Sequence, residues 1–591
     1  MGRVLVGRVL VGLQPLQSKP GLSRLLSQGF CLLSGLVTGL TLWGDIAVAQ
    51  RPFTNDPSQI RRELEAPPPP SRPVLPPTVP RLEEPTAPPG AEDQPFFLQT
   101  LSVTGSTVYS PERLQVIYAP YLNRTITLKD LYAIAYQITQ LYRNDGYILS
   151  QAIVPEQVIQ GGVVRIQVIE GYIDQVKFEG ASSNQLERLQ GFADRLTRSR
   201  PLQSRDLERY LLLMNDLAGF QVQAVLSPGP TQGSTLLTAT VKVDSYDPFI
   251  QLTNRGAEDS GPLRLLGGIY FNSLRGGGER WSFSGAVTPE NAEELQFFQA
   301  GLNVPIGSDG LRLDANGSYT SVRPSSDLDF FKLSGENTFI SLSASYPIRR
   351  SRNQNLFVSA RFDFNDTINN TDFIGIPIVL SSDQISALRF GVNYNISDRN
   401  GTTAIGAQIS QGLPILGATT PPYSFERPPS RIDGSAVFTK LNLDIIRQQI
   451  LPKNFNLLFS GSAQVAANPL LVSEQFALGG ANCNSAYPPA QVLGDAGFCA
   501  RTELQRPIVY PFKQVTMISQ PYLFADVGRA FLYSPTVVES GKTTLASTGL
   551  GLRQFVGNNV NLQLELAFPL LNNGLISAGT PQLFFTLQGS F

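Results

Sequence analysis

The chain contains no histidine, so the base that most often activates a serine nucleophile is missing and a Ser-His-Asp site is excluded. Carboxylates and lysines could still do acid-base work, but they do not cluster along the sequence. No Gly-rich phosphate-binding loop appears. No residue is therefore assigned a catalytic, cofactor-binding or metal-binding role, and an enzyme is not expected. Of the three cysteines, Cys31 falls in a segment that reads as removed on export. Cys483 and Cys499 stay as a pair in a compartment where disulfides persist. The chemistry left to such a chain is binding.

Export is read from the first 49 residues. Arg3, Arg8, Lys19 and Arg24 precede the apolar run Phe30 to Trp43, and Ala47-Val48-Ala49 supplies small residues for cleavage, so the mature chain begins at Gln50. An N-terminal membrane anchor is the alternative, although the apolar run is short for a span. Beyond it no stretch is apolar enough for a spanning helix, while 42% of residues are hydrophobic and only 16% charged. This leaves a soluble β protein or a membrane barrel. A net charge of -1 gives no reason to expect nucleic acid as a partner.

The elements that would position any site follow in order. Residues 50–66 contain a short helix signal, with Asp56 as cap, Pro57 at the first helical position and helix formers to Glu65. Residues 67–95 are so rich in proline, as in Pro67-Pro68-Pro69-Pro70, that an extended spacer is expected. Two α+β repeats occupy 96–172 and 173–245, each in the order β-α-α-β-β. The first has a strand from Phe97 to Thr104, a helix opened by Ser110-Pro111 and a second helix opened by Thr127 with Asp130 three positions on. Leu131, Ile134, Ala135, Ile138 and Leu141 make the apolar face of that second helix. Asn144-Asp145-Gly146 ends it, and β runs follow at Tyr147 to Val154 and Val163 to Ile169. The second repeat has β runs at Ile173 to Phe178, Gln221 to Leu226 and Leu236 to Val243, and helices at Asn184 to Leu196 and Ser204 to Leu217. Such units carry an open sheet edge suited to capturing an extended peptide, or serve as plain spacers.

From 246 to 591 the period is two, in segments of about ten residues separated by Gly, Asn, Asp, Ser and Pro. Leu311 to Tyr319, Leu356 to Phe364, Lys440 to Ile445 and Asn561 to Phe568 all divide into an apolar and a polar face. After an export signal this predicts a transmembrane antiparallel β-barrel, and about 20 to 22 residues per strand and connection gives about 16 strands. The last segment, Gln582 to Phe591, places Leu583, Phe585, Leu587 and Phe591 outward. Phe591 is a candidate assembly signal as well as the end of the closing strand.

This order of parts resembles the transporter component of two-partner secretion, the ShlB/FhaC/HecB-type haemolysin secretion/activation proteins of the barrel-assembly superfamily. Two periplasmic repeats rather than five separate it from the general assembly factor. Asp145-Gly146-Tyr147, Ala152 to Gln157, Gly162 to Ile166 and Glu170 to Ile173 look like the first polypeptide-transport-associated (POTRA) domain of that family. Phe476 to Asn482 and Gly494 to Gly497, with Glu503-Leu504, bracket what resembles its sixth extracellular loop. The resemblance assigns gating to Leu478, Gly479, Gly480, Asn482, Ser485, Tyr487, Gly494 and Asp495. It also makes Phe524, Asp526 and Gly528 a lumenal strand motif. In the family a Val-Arg-Gly-Tyr arginine at the loop tip pairs with that aspartate, whereas this chain has Ser485 there. Asp526 is then without its expected partner unless Arg501 or Arg506 reaches it.

Cys483 and Cys499 lie at the two ends of this one loop. A bridge closing about 17 residues would stabilise it by roughly 3 kcal/mol; two unpaired thiols are the alternative. The resemblance implies an outer-membrane pore with its POTRA domains in the periplasm. It would pass a secreted exoprotein, recognised by an N-terminal secretion domain, in unfolded form. Outer-membrane lipid and the barrel-assembly machinery are further partners, and a monomer is expected. An outer-membrane insertase is the alternative, and a simple porin is disfavoured by the periplasmic repeats.

Overall fold

The computed structural model describes residues 56–65, 94–325, 332–373, 375–512, 515–537, 539–573 and 576–591. The expected export signal and nearly all of the proline-rich spacer lie outside the described residues. Helix α1, Pro57–Leu64, is opened by Asp56, whose carboxylate accepts from the Ser58 amide at 2.9 Å. It stops at Leu64, inside the expected 50–66 span.

The first α+β unit runs through β1 (Pro95–Leu98), β2 (Thr100–Thr104), α2 (Pro111–Tyr118), β3 (Arg124–Thr127), α3 (Leu128–Asn144), β4 (Gln151–Ile153) and β5 (Val163–Ile169). The single strand expected from Phe97 to Thr104 is two. At Gln99 the amide turns to the Gly162 carbonyl at 2.8 Å, so β1 pairs with β3 while β2 pairs in parallel with β5. The Thr127–Asp130 capping box opens α3, whose Leu131, Ile134, Ala135 and Ile138 are buried as expected. Tyr142 rather than Leu141 completes the buried face.

The second unit repeats the plan with β6 (Tyr172–Glu179), α4 (Ser183–Arg198), α5 (Ser204–Asn215), β7 (Phe220–Pro228) and β8 (Ser234–Val243). Its sheet order β6-β8-β7 matches β2-β5-β4 of the first, with one parallel and one antiparallel pair in each. Tyr147 to Ser150 are not strand, contrary to expectation. They bend into the second unit, where Ile148 and Leu149 pack on its core and Tyr147 Oη accepts from Gln203 Nε2 at 2.8 Å. Burying two aliphatic side chains outweighs extending a short edge strand.

Helices α4 and α5 also dock on the turns of the barrel. Arg350 grips Asp216 through two bonds of 2.7 and 2.8 Å, and Arg209 donates to the carbonyls of Asp309 and Pro347. This two-pronged geometry fixes orientation as well as distance.

From Tyr246–Thr253 to Gln582–Ser590, sixteen antiparallel strands close on themselves. One of them, Ala496 to Phe512, is interrupted at Arg506-Pro507, where proline lacks the ladder donor. Leu313 and Tyr319, or Leu441, Leu443 and Ile445, stand exposed on the outer face, while Ser318, Thr320 and Lys440 are buried inside. The expected ten residues per strand fits Arg264–Asn272 and Val560–Pro569 but is too short for others. Gln354–Phe373 and Ile376–Asp398 reach 20 and 23 residues. Ten residues suffice to cross lipid, but hairpin pairing remains favourable in water, and the polar run Asn369 to Asp372 continues it there. Closure is by five pairs, Thr253 with Thr586 through Phe249 with Ser590.

Candidate functional site

Among the described residues, two elements fold into the lumen: α1 and the loop between the strands Phe455–Ala466 and Ala496–Gln505. Helix α1 lays Ile60 and Leu64 against Leu266, Ala286, Leu295, Phe297 and Val322 of the wall. Glu63 pairs with Arg264 at 2.7 Å, and the Arg61 guanidinium lies 3.8 Å over the Phe339 ring. The other face of α1 meets the loop, where Gln59 Nε2 donates to the Val472 carbonyl at 2.7 Å.

In the loop, Phe476–Leu478 and Val492–Gly494 form a small antiparallel hairpin that carries its tip inward. Gly479 sits at φ +104°, and a Cβ there would collide with the Pro488 carbonyl, so the turn requires glycine. Leu478, Asn484, Ser485 and Tyr487 are essentially fully buried, whereas Asn482 is exposed and stands apart from the docked tip. Tyr487 Oη donates to the Leu571 carbonyl at 2.7 Å. Asp495 is fully buried at the loop base, taking the Arg431 guanidinium and the amides of Leu470 and Tyr533, each at 2.7 Å. One carboxylate thus gathers four segments of chain.

Cys483 and Cys499 are bonded, with Cα atoms 6.2 Å apart. The tip they hold rests on Asp526. Oδ2 of Asp526 accepts from the Ser485 amide and hydroxyl, both at 3.3 Å. Oδ1 accepts from the Ser547 amide at 3.2 Å and from its hydroxyl. Gly528, in the same motif, leaves the room this needs, because a Cβ there would lie 2.5 Å from Leu478 Cδ2 and 2.6 Å from Asn484 Oδ1. Phe524 forms the floor, 4.0 Å beneath the Arg501 guanidinium.

Arg501 is the cation that reaches Asp526, with Nη1 at 3.3 Å. Arg506 instead lies over the Phe455 ring. Arg501 also takes Glu503 and Glu565 at 2.9 Å each, so it stands in an inward network on neighbouring strands. Alternation along the strand puts 499, 501 and 503 on one face, a signal that could have separated Arg501 from Arg506 in the sequence.

Sequence reasoning missed Glu474. It is buried where loop, helix and wall meet: Arg389 takes it at 2.7 Å, Lys440 at 2.8 Å and Arg62 of α1 at 3.9 Å. A cavity of about 350 Å³ beside it is lined by Arg61, Arg361, Asp363, Arg389, Gln408 and Lys440. The lumen here is therefore polar, with α1 and the loop packed inside it.

The model of the family described as haemolysin secretion/activation protein ShlB/FhaC/HecB matches residues 233–554, and that of the ShlB-type POTRA domain matches 96–171. The chain belongs to this family. Among relatives, the heme/hemopexin transporter protein HuxB of Haemophilus influenzae is 23% identical over 78% of the chain and 81% of its own length. The outer membrane transporter CdiB of Dickeya dadantii is 24% identical over 80% and 83%. The solved CdiB from Escherichia coli shares the fold with TM-score 0.70 at 22% identity, covering 91% of this chain and 96% of that one. CdiB from Acinetobacter baumannii gives 0.60 at 15% identity over 90% and 96%. Like its family, this ShlB-type protein resides in the outer membrane, with its POTRA region in the periplasm.

Proposed function

We propose that this ShlB-type protein is the pore of a two-partner secretion system. It takes one exoprotein by its N-terminal secretion domain at the periplasmic arm and passes it unfolded through the barrel. The observation that carries this reading is a lumen closed by separable parts, α1 and the loop, joined at Glu474. We assign 50–66 as the plug and 96–172 and 173–245 as two POTRA domains that capture cargo. Residues 246–591 are the pore, with gating at Leu478 to Tyr487 and Gly494-Asp495. Surrounding lipid, insertion by the barrel-assembly machinery with Phe591 as its signal, and a monomeric state complete the assignment. Phe591 supports it by being exposed while its amide still bonds Pro248 of the first strand at 3.0 Å.

One feature favours a second reading as an assembly factor for other barrels. The closing seam has five paired residues where each flanking pair has eight. Deleting the gene separates the two. Loss of one exoprotein from the medium with an unchanged set of outer-membrane barrels supports secretion, and a general fall in barrels contradicts it.

A further inference from the structure

Cys499 and Arg501 stand two residues apart on Ala496–Gln505, so both side chains share its lumenal face. In register they face Gly528 and Asp526 on Val515–Phe531. The loop tip covers this four-residue patch. Its Cys483 is bonded to Cys499 above the gap left by Gly528. Its Ser485 hydroxyl accepts from Arg501 Nη1 at 2.9 Å while facing Asp526 at 3.3 Å.

The three carboxylates around Arg501 do not depend on it equally. Glu565 also has Arg255 at 2.7 Å, and Glu503 has Arg553 at 2.8 Å. Among the described residues, Asp526 has Arg501 as its one ion-pair partner. A buried carboxylate stripped of its cation is costly, so loss of Arg501 weakens the loop seat. The bridge acts on the same strand but independently of charge, and both its cysteines are buried, at 8% and 5% exposure.

We propose that Arg501 is the positioning residue of this loop and that the Cys483–Cys499 bridge makes its seat permanent. The tip then stays on this wall during transport, and the polypeptide passes on the side of α1, along Asp363, Arg389 and Gln408. This rests on the secretion reading, but conductance tests it without any cargo. It follows that the cation can be exchanged. The side chain at 485 already lies within reach of Asp526, so an arginine there serves when Arg501 is gone and crowds it when both are present.

The experiment uses the full chain in planar lipid bilayers, with folding checked by heat-modifiable mobility. R501Q, S485R and S485R/R501Q are each recorded with the bridge intact and in a C483S/C499S background. Without the bridge, each single variant should raise the open fraction about tenfold, the effect of a mid-range coupling between touching residues. The double variant should return to within about twofold of its parent. An intact bridge should suppress both single-variant effects, and removal of residues 57–64 should open the channel with the bridge in place. Two results overturn the proposal: a double variant as open as S485R alone, or a 57–64 deletion that stays closed until the bridge is broken. The first comparison stands even where R501Q fails to fold.

Discussion

Replacing Asp526 by Ala removes the acceptor of the Ser485 and Ser547 bonds and one of the three carboxylates around Arg501. Because Glu503 and Glu565 keep that arginine paired, the cost should fall at the low end for a broken buried pair, about 3 kcal/mol. A lowered unfolding midpoint in detergent would show it; an unchanged midpoint would mean the tip is not seated on this carboxylate. Gly528→Val acts sterically. Its Cβ would sit 2.5 Å from Leu478 Cδ2 and push the tip off the patch. Mass spectrometry of the unreduced protein should then find alkylatable Cys483 and Cys499 where the parent has a bridge. Asp526 and the cysteine pair were legible in the sequence, because the motif around Phe524 and the 16-residue spacing are local. Glu474 was not. Its partner Arg389 lies 85 residues away, and no local pattern records a contact formed only when the barrel closes.

At the scale of elements, α1 is held mainly by apolar burial of Ile60 and Leu64. I60A/L64A should cost about 2 to 5 kcal/mol per site if the helix were fixed. A helix of eight residues is marginal alone, so its release from the lumen is the expected response, read as a higher open fraction in bilayers. In the first α+β unit, Glu170 gathers the Thr107 amide and hydroxyl, the Val108 amide and the Tyr142 hydroxyl. Burial raises its pKa, but these hydrogen bonds outweigh burial and hold it below the usual glutamate value. A depressed folded pKa stabilises the unit above the ordinary value, about 4.5, and that contribution is lost as pH falls through the folded one. Hydrogen exchange at Thr107 and Val108 should quicken over this acid window in the parent and be pH-flat, beyond the intrinsic exchange rate, in E170Q. The helices of this unit were readable because caps and apolar spacing are local signals. The break at Gln99 and the turn at Tyr147 were not, since each is decided by a distant partner, Gly162 and the second unit's core.

For the whole molecule, alternation over 246–591 revealed a barrel, because each strand must satisfy lipid outside and water inside wherever it lies. The strand number followed from dividing that length by about 20 to 22 residues per strand and connection. The length of the longest strands escaped, as nothing in the lipid-and-water constraint ends a hairpin at the membrane surface. Docking of α4 and α5 on the turns near Gly278, Asp309 and Pro347 joins arm to barrel. Under the proposed function, cargo caught on the arm would be delivered beside the lumen. The direct test is translocation by the purified protein in proteoliposomes, with the exoprotein bearing its secretion domain added on the POTRA side. The exoprotein should become protected from added protease inside the vesicles, and that protection should be lost when residues 96–245 are removed. Exoprotein that stays fully digestible with the intact chain would contradict it.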